Sequence, residues 1–123
     1  MTVYPDLEDT LSQVEYLGFY VRELGILQGC LARPQTTLFG EEAYPSLESK
    51  GAALVHALAT SHPLIDGNKR TAWAMLVTFL AMNSHQVVAT ADDGLEFMVN
   101  IAGNRMELGD ITEWIAARLK PLD

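Results

Sequence analysis

Apolar residues in this chain recur at helical spacing, and no run of four to eight residues shows convincing polar/apolar alternation. Leu47, Leu54 and Leu58 fall at i, i+7 and i+11, and Val55 widens the stripe. A helix is therefore predicted from Pro45, a natural first-turn residue with Ser46 and Glu48 close behind, to about Ser61. Pro63 and Gly67 break the chain, and Asn68 or Asp66 restarts it as a helix to about Asn83. That segment is apolar nearly all round, which predicts the central element of the fold. Upstream, Leu7, Leu11, Val14 and Tyr16 offer a partly apolar face for a helix capped by Asp6 or Asp9 and ended by Gly18. A second helix fits about Glu23 to Ala32, stopped by Pro34. Residues 35–44 hold Thr36, Thr37, Gly40 and two glutamates with little periodicity, and read as an exposed loop or short flap hairpin. Downstream, helices are predicted at about Ala91 to Ala102 and, capped by Asp110, at Ile111 to Lys120, where Ile111, Trp114, Ile115 and Leu119 share a face. The fold class is all-α, a compact bundle of about five to six helices.

Composition narrows this picture. With 123 residues, 49% of them hydrophobic, the chain can build one real core, so residues 1–123 are expected to form a single domain. The longest apolar stretch, Ala72 to Met82, is about half of the roughly 20 residues that span a bilayer, so it reads as a buried helix and not a membrane anchor. The one cysteine, Cys30, allows no internal disulfide, and no Cys/His spacing suits zinc. The acidic stretch Met1 to Asp9 does not resemble a secretory signal, and a cytoplasmic location is expected. A net charge of −8, acidic in both halves, argues against a nucleic-acid backbone as partner. Between Lys50 and Arg105 the only basic side chains are Lys69 and Arg70, so positive charge is focused at one point.

That point coincides with the break before the central helix. Backbone N–H groups from Gly67 onward are predicted to leave a helix N-terminus free, which is an anion site. Gly67 leaves room for a phosphate, while Lys69 and Arg70 add a point charge and a planar fork. Asp66 is a hard oxygen ligand suited to magnesium shared with phosphates. His62 is the natural proton acceptor for an attacking hydroxyl. Taken singly, Asp66 also reads as a helix cap, His62 as a structural histidine and Lys69 with Arg70 as a solvated turn. Their conjunction within nine residues is what points to chemistry.

The segment His62-Pro63-Leu64-Ile65-Asp66-Gly67-Asn68-Lys69-Arg70-Thr71 resembles the signature of the Fic/Doc superfamily, H-x-F-x-D/N-G/A-N-K/G-R, and its Asn-Lys-Arg-Thr-Ala form resembles the Doc (death-on-curing) branch. Leu31 to Thr36 followed by Tyr44-Pro45 is similar to the family's approach to its active site. The resemblance implies the Fic fold, with His62 as base, Asp66 on magnesium, and Gly67, Asn68, Lys69 and Arg70 on the phosphates of ATP. Residues 35–44 would be the flap that aligns an extended target segment. Fic members with a Gly-Asn-Gly-Arg-x-x-Arg continuation transfer AMP to a protein hydroxyl, whereas Doc is a kinase that phosphorylates a threonine of elongation factor Tu and halts translation. Lys69 replaces the second glycine and Trp73 stands at the second arginine, and both differences favour the kinase. Leu64 replaces the usual Phe that anchors the loop. No Ser/Thr-x-x-x-Glu-Gly/Asn inhibitory motif is present, Thr37 to Glu42 coming nearest, so inhibition is expected from a separate Phd-like antitoxin of a toxin–antitoxin pair. Adenylyl transfer and a helical binding module without turnover are the alternatives.

The remaining notable side chains read as structural: His56 packed or partly exposed, Cys30 buried, Trp73, Phe79, Met75 and Met82 in the core, and Trp114 joining the last helix to the bundle. His85 has no evident partner.

Overall fold

In the computed structural model, which describes residues 1–123, the chain forms α1 (Leu7–Tyr16), α2 (Leu24–Ala32), a 3-10 turn (Arg33–Gln35), β1 (Thr37–Leu38) and β2 (Glu41–Glu42). There follow α3 (Leu47–Ser61), α4 (Asn68–Met82), β3 (His85–Val87), α5 (Ala91–Ala102), α6 (Leu108–Arg118) and β4 (Leu119–Pro121). No helix is long and apolar enough to cross a membrane. The six helices match the mainly helical bundle read from the periodicity.

Helix α3 starts where Ser46 and Ser49 satisfy each other: Ser49 N donates to Ser46 Oγ at 3.1 Å, and Ser46 N donates to Ser49 Oγ at 3.0 Å. Pro45 thus precedes the cap and is not helical. Lys50 to Val55 and Ala57 to Ala59 are all buried, and α2, α4, α5, α6 and the 3-10 turn pack around them. The centre of the molecule is therefore α3 and not, as the apolar content had implied, α4. The reason is side-chain size. A Cβ on Gly51 would lie 3.0 Å from Leu76 Cδ1, so the small residues of α3 admit neighbours on every side. Helix α4 buries Thr71, Ala72, Met75, Leu76, Phe79 and Leu80 but leaves Lys69, Arg70 and Val77 exposed.

The outer helices differ in detail from their predicted faces. In α1, capped by Asp6, Thr10 and Val14 are buried while Tyr16 is exposed. Helix α6 begins three residues before Ile111, because Glu107 N donates to Asp110 Oδ2 at 3.0 Å and places Asp110 inside the first turn. It ends at Arg118, since Pro121 cannot continue it, and Leu119 to Pro121 instead pair antiparallel with His85 to Val87. Phe97 of α5 and Trp114 of α6 stack at 3.7 Å, with Trp73 of α4 edge-on to them at 6.4 and 6.3 Å. This aromatic cluster joins the three helices.

The 35–44 segment is a hairpin: Thr37 faces Glu42 and Leu38 faces Glu41, around Phe39 and Gly40 at φ 53° and 82°. Positive φ at both central residues suits the twist of a two-residue turn. Its base is fastened to α3 by Lys50, a cation sitting in the core, whose ammonium donates to the Tyr44 carbonyl and lies 3.0 Å from Glu42 Oε1.

Candidate active site

Helix α3 stops at His62, which adopts a left-handed conformation, φ 51° and ψ 56°. Pro63 behind it disfavours continuing the right-handed helix, and a non-glycine residue held left-handed stores about 1–3 kcal/mol of strain. The strain persists because the strand-like segment 20–23 grips the loop. Arg22 donates from Nε and Nη2 to the His62 carbonyl at 3.1 and 2.6 Å. Pro63 O accepts from Arg22 N at 2.8 Å and Glu23 N at 3.1 Å, Ile65 N donates to Tyr20 O at 3.0 Å, and Val21 bridges Leu64. Leu64 is buried, so the smaller side chain keeps the anchoring position.

Asn68 fixes the same loop from the other side. Its Oδ1 accepts from Leu64 N at 3.0 Å and its Nδ2 donates to Leu64 O at 3.1 Å. The amide is thereby committed to the loop, and Asn68 adds its backbone N–H to the start of α4. Asp66 Oδ1 accepts from Gly67 N at 2.8 Å, a turn bond rather than a helix cap, and the helix follows Gly67 at φ 77°. The N–H groups of Asn68, Lys69 and Arg70 have no protein acceptor, which is the unfilled first turn of a helix. Lys69 and Arg70 are exposed beside it, with the Arg70 guanidinium 5.9 Å from the centre of the Phe19 ring.

These groups open onto one cleft of about 980 Å³, which His62, Asp66, Gly67, Asn68, Lys69 and Arg70 all line. Trp73, Leu95 and Met98 add apolar lining to the same cleft. Such a lining suits a ligand with an anionic part and a flat apolar part. No cluster of three His, Cys, Asp or Glu side chains is placed to hold a metal. Asp66 has one carboxylate oxygen not used by Gly67 N, and a single carboxylate plus substrate phosphates is the donor set magnesium accepts. The residues therefore fit a magnesium ion brought with a nucleotide.

Two contributors escaped the sequence reading. Phe19 lies against Gly67, and Arg22 holds the His62 carbonyl; neither sits in the motif, and their only signal was a place in a loop between helices. No residue of the hairpin lines the cleft. His56 is half-buried with Nδ1 unpaired, and burial, aided by the Arg33 charge, holds its pKa below the ordinary value. Cys30 is buried, which pushes its thiol up and keeps it protonated. His85 Nδ1 lies 2.7 Å from the Asn83 carbonyl, a local contact, and the residue does not line the cleft.

A model of the Fic/DOC family matches residues 4–80, a stretch that includes α3, the loop and most of α4. Over 109 residues the chain is 46% identical to a protein named Toxin Doc from Mycolicibacterium smegmatis, covering 85% of this chain and 84% of that one. A match of this extent, which takes in the loop from His62 to Asn68 and the segment that grips it, places the chain in the Doc branch of the Fic/Doc superfamily.

Proposed function

We propose that this chain, acting as a single domain in the cytoplasm, is a Doc-type toxin that transfers the γ-phosphate of ATP to a threonine of elongation factor Tu and so blocks translation. The observation that carries the choice of reaction is the pair Lys69 and Trp73. Lys69 puts a side chain and a charge where an adenylyl transferase of the family has a bare glycine, so phosphates must seat differently against the N-terminus of α4. Trp73 stands where the second arginine would reach a phosphate, and it is engaged edge-on with Phe97 and Trp114. The name of the Mycolicibacterium relative, Toxin Doc, supports the toxin role and, with it, a Phd-like antitoxin as inhibitory partner.

The chemistry assigned to each group is simple. His62 accepts the proton of the target hydroxyl, whose oxygen forms a bond to the γ-phosphorus as the bond from that phosphorus to the β–γ bridging oxygen breaks and ADP leaves. The N–H groups of Asn68, Lys69 and Arg70, with the Lys69 and Arg70 side chains, hold the phosphates in line. Asp66 would hold magnesium, which when bound neutralises phosphate charge. The apolar wall of Trp73, Leu95 and Met98 takes the base.

The test is incubation with γ-labelled and, separately, α-labelled ATP, magnesium and elongation factor Tu. Label on the factor from the γ position alone, reduced at least about 100-fold by His62→Ala, is the expected result. Label from the α position would establish adenylyl transfer instead, and nucleotide binding with no transfer would leave a binding module.

A further inference from the structure

We infer that Arg22, outside the motif and outside the cleft lining, is a positioning residue that sets the orientation of His62; this rests on His62 being the base of the transfer proposed above. The backbone at the end of α3 has few handles. Pro63 has no N–H, so the His62–Pro63 link can be held only through its carbonyls. Arg22 takes both that flank the proline: its guanidinium donates twice to His62 O, at 3.1 and 2.6 Å, and its own N–H donates to Pro63 O at 2.8 Å. Holding both carbonyls from one residue fixes the peptide planes on either side of Pro63, the first of which is the plane that follows the His62 Cα.

The charge of Arg22 suits the position. His62 O lies at the C-terminal end of α3, where unpaired carbonyls collect partial negative charge, and a planar cation with two parallel donors both satisfies and neutralises it. Glu23 Oε1 lies 3.7 Å from Arg22 Nη1 and biases the guanidinium without taking the two nitrogens that hold the loop. Without this grip the left-handed residue before a proline relaxes toward extended backbone, the conformation that position prefers. The imidazole then leaves the face of the cleft that carries Lys69 and Arg70. Since the Arg22 side chain is half-exposed, it makes little of the core, and its removal acts on the loop rather than on the fold.

Arg22→Ala and Arg22→Lys separate positioning from general stability. Arg22→Ala is expected to lower kcat at least about tenfold with KM for ATP changed less than about twofold, because nucleotide contacts are untouched while the base is misplaced. Arg22→Lys, which keeps the charge but not the fork, restores part of the rate. His62→Ala with Arg22→Ala is no slower than His62→Ala alone, since both remove one function. Nuclear magnetic resonance reads the same event without turnover: the Cα and ring signals of His62 move in Arg22→Ala while those of His56 and His85 stay. Unmoved His62 signals, or a wild-type kcat in Arg22→Ala, would overturn the inference. A wild-type chain that transfers no group at all sinks the kinase reading instead, and the resonance comparison still decides the role of Arg22.

Discussion

At the scale of single residues the loop depends on one missing side chain. Gly67 carries φ 77°, and a Cβ there would lie within 2.5 Å of three Phe19 ring atoms. Two costs are therefore stacked at one position: a left-handed backbone that an L side chain resists, and a ring already in the space. Gly67→Ala is expected to destabilise the protein by about 1–3 kcal/mol and to abolish transfer. Chemical denaturation of Gly67→Ala alone and combined with Phe19→Leu measures both parts. Relief of the clash by the second substitution recovers only part of the loss, because the backbone cost remains; full recovery would show that the ring alone excludes a side chain. Asn68 illustrates a different point. Its type and place in the motif implied a ligand contact, but the amide also closes on both polar atoms of the Leu64 backbone, so it shapes the loop as well.

Among elements, the hairpin depends on contacts outside itself. Four strand residues make too little ladder to stand alone, and Leu38 and Phe39 are exposed. What ties the hairpin down is the Lys50 ammonium under Glu42 and the Tyr44 carbonyl, together with Arg33 Nε donating to Tyr44 Oη at 3.2 Å. Lys50→Met keeps the buried stem and removes the tether. Because Glu42 is more than half exposed and resolvates readily, the global loss should be no more than about 2 kcal/mol. Amide exchange at Ala43, whose N–H donates to Thr36 O at 2.9 Å, should nevertheless quicken well beyond that of α3. Equal loss of protection in both would mean that Lys50 supports the whole core and not the hairpin.

For the whole molecule, burying α3 on all sides also buries part of a titrating group. The His56 pKa is lowered by burial and, secondarily, by the Arg33 charge, below its ordinary 6.5. Between that lowered value and 6.5 the unfolded chain binds a proton that the folded chain refuses, so stability is complete above 6.5 and declines as pH falls below it. His56→Leu should flatten that decline, read as a smaller drop in Tm between pH 7.5 and pH 5.5. An unchanged acid drop would assign the sensitivity to other groups.

Periodicity, with the caps and the Pro and Gly breaks, identified a bundle of about five to six helices and their order, because the spacing of Leu54, Val55 and Leu58 or of Ile111 and Ile115 is a local property that burial then respects. The motif likewise brought His62, Asp66, Gly67, Lys69 and Arg70 together, since residues adjacent in one turn and one helix start cannot be far apart. Other features had no local cause. Which helix lies at the centre was decided by how closely neighbours could approach Gly51 and the alanines of α3, not by how apolar each helix is. The pairing of His85 to Val87 with Leu119 to Pro121 joins segments more than thirty residues apart, and neither alternates enough to announce a strand. The conformation of His62 is the plainest case. The sequence by itself determined that a histidine ends the helix before a proline; only tertiary structure, through a carbonyl grip by Arg22 from forty residues away, decided which way that histidine faces.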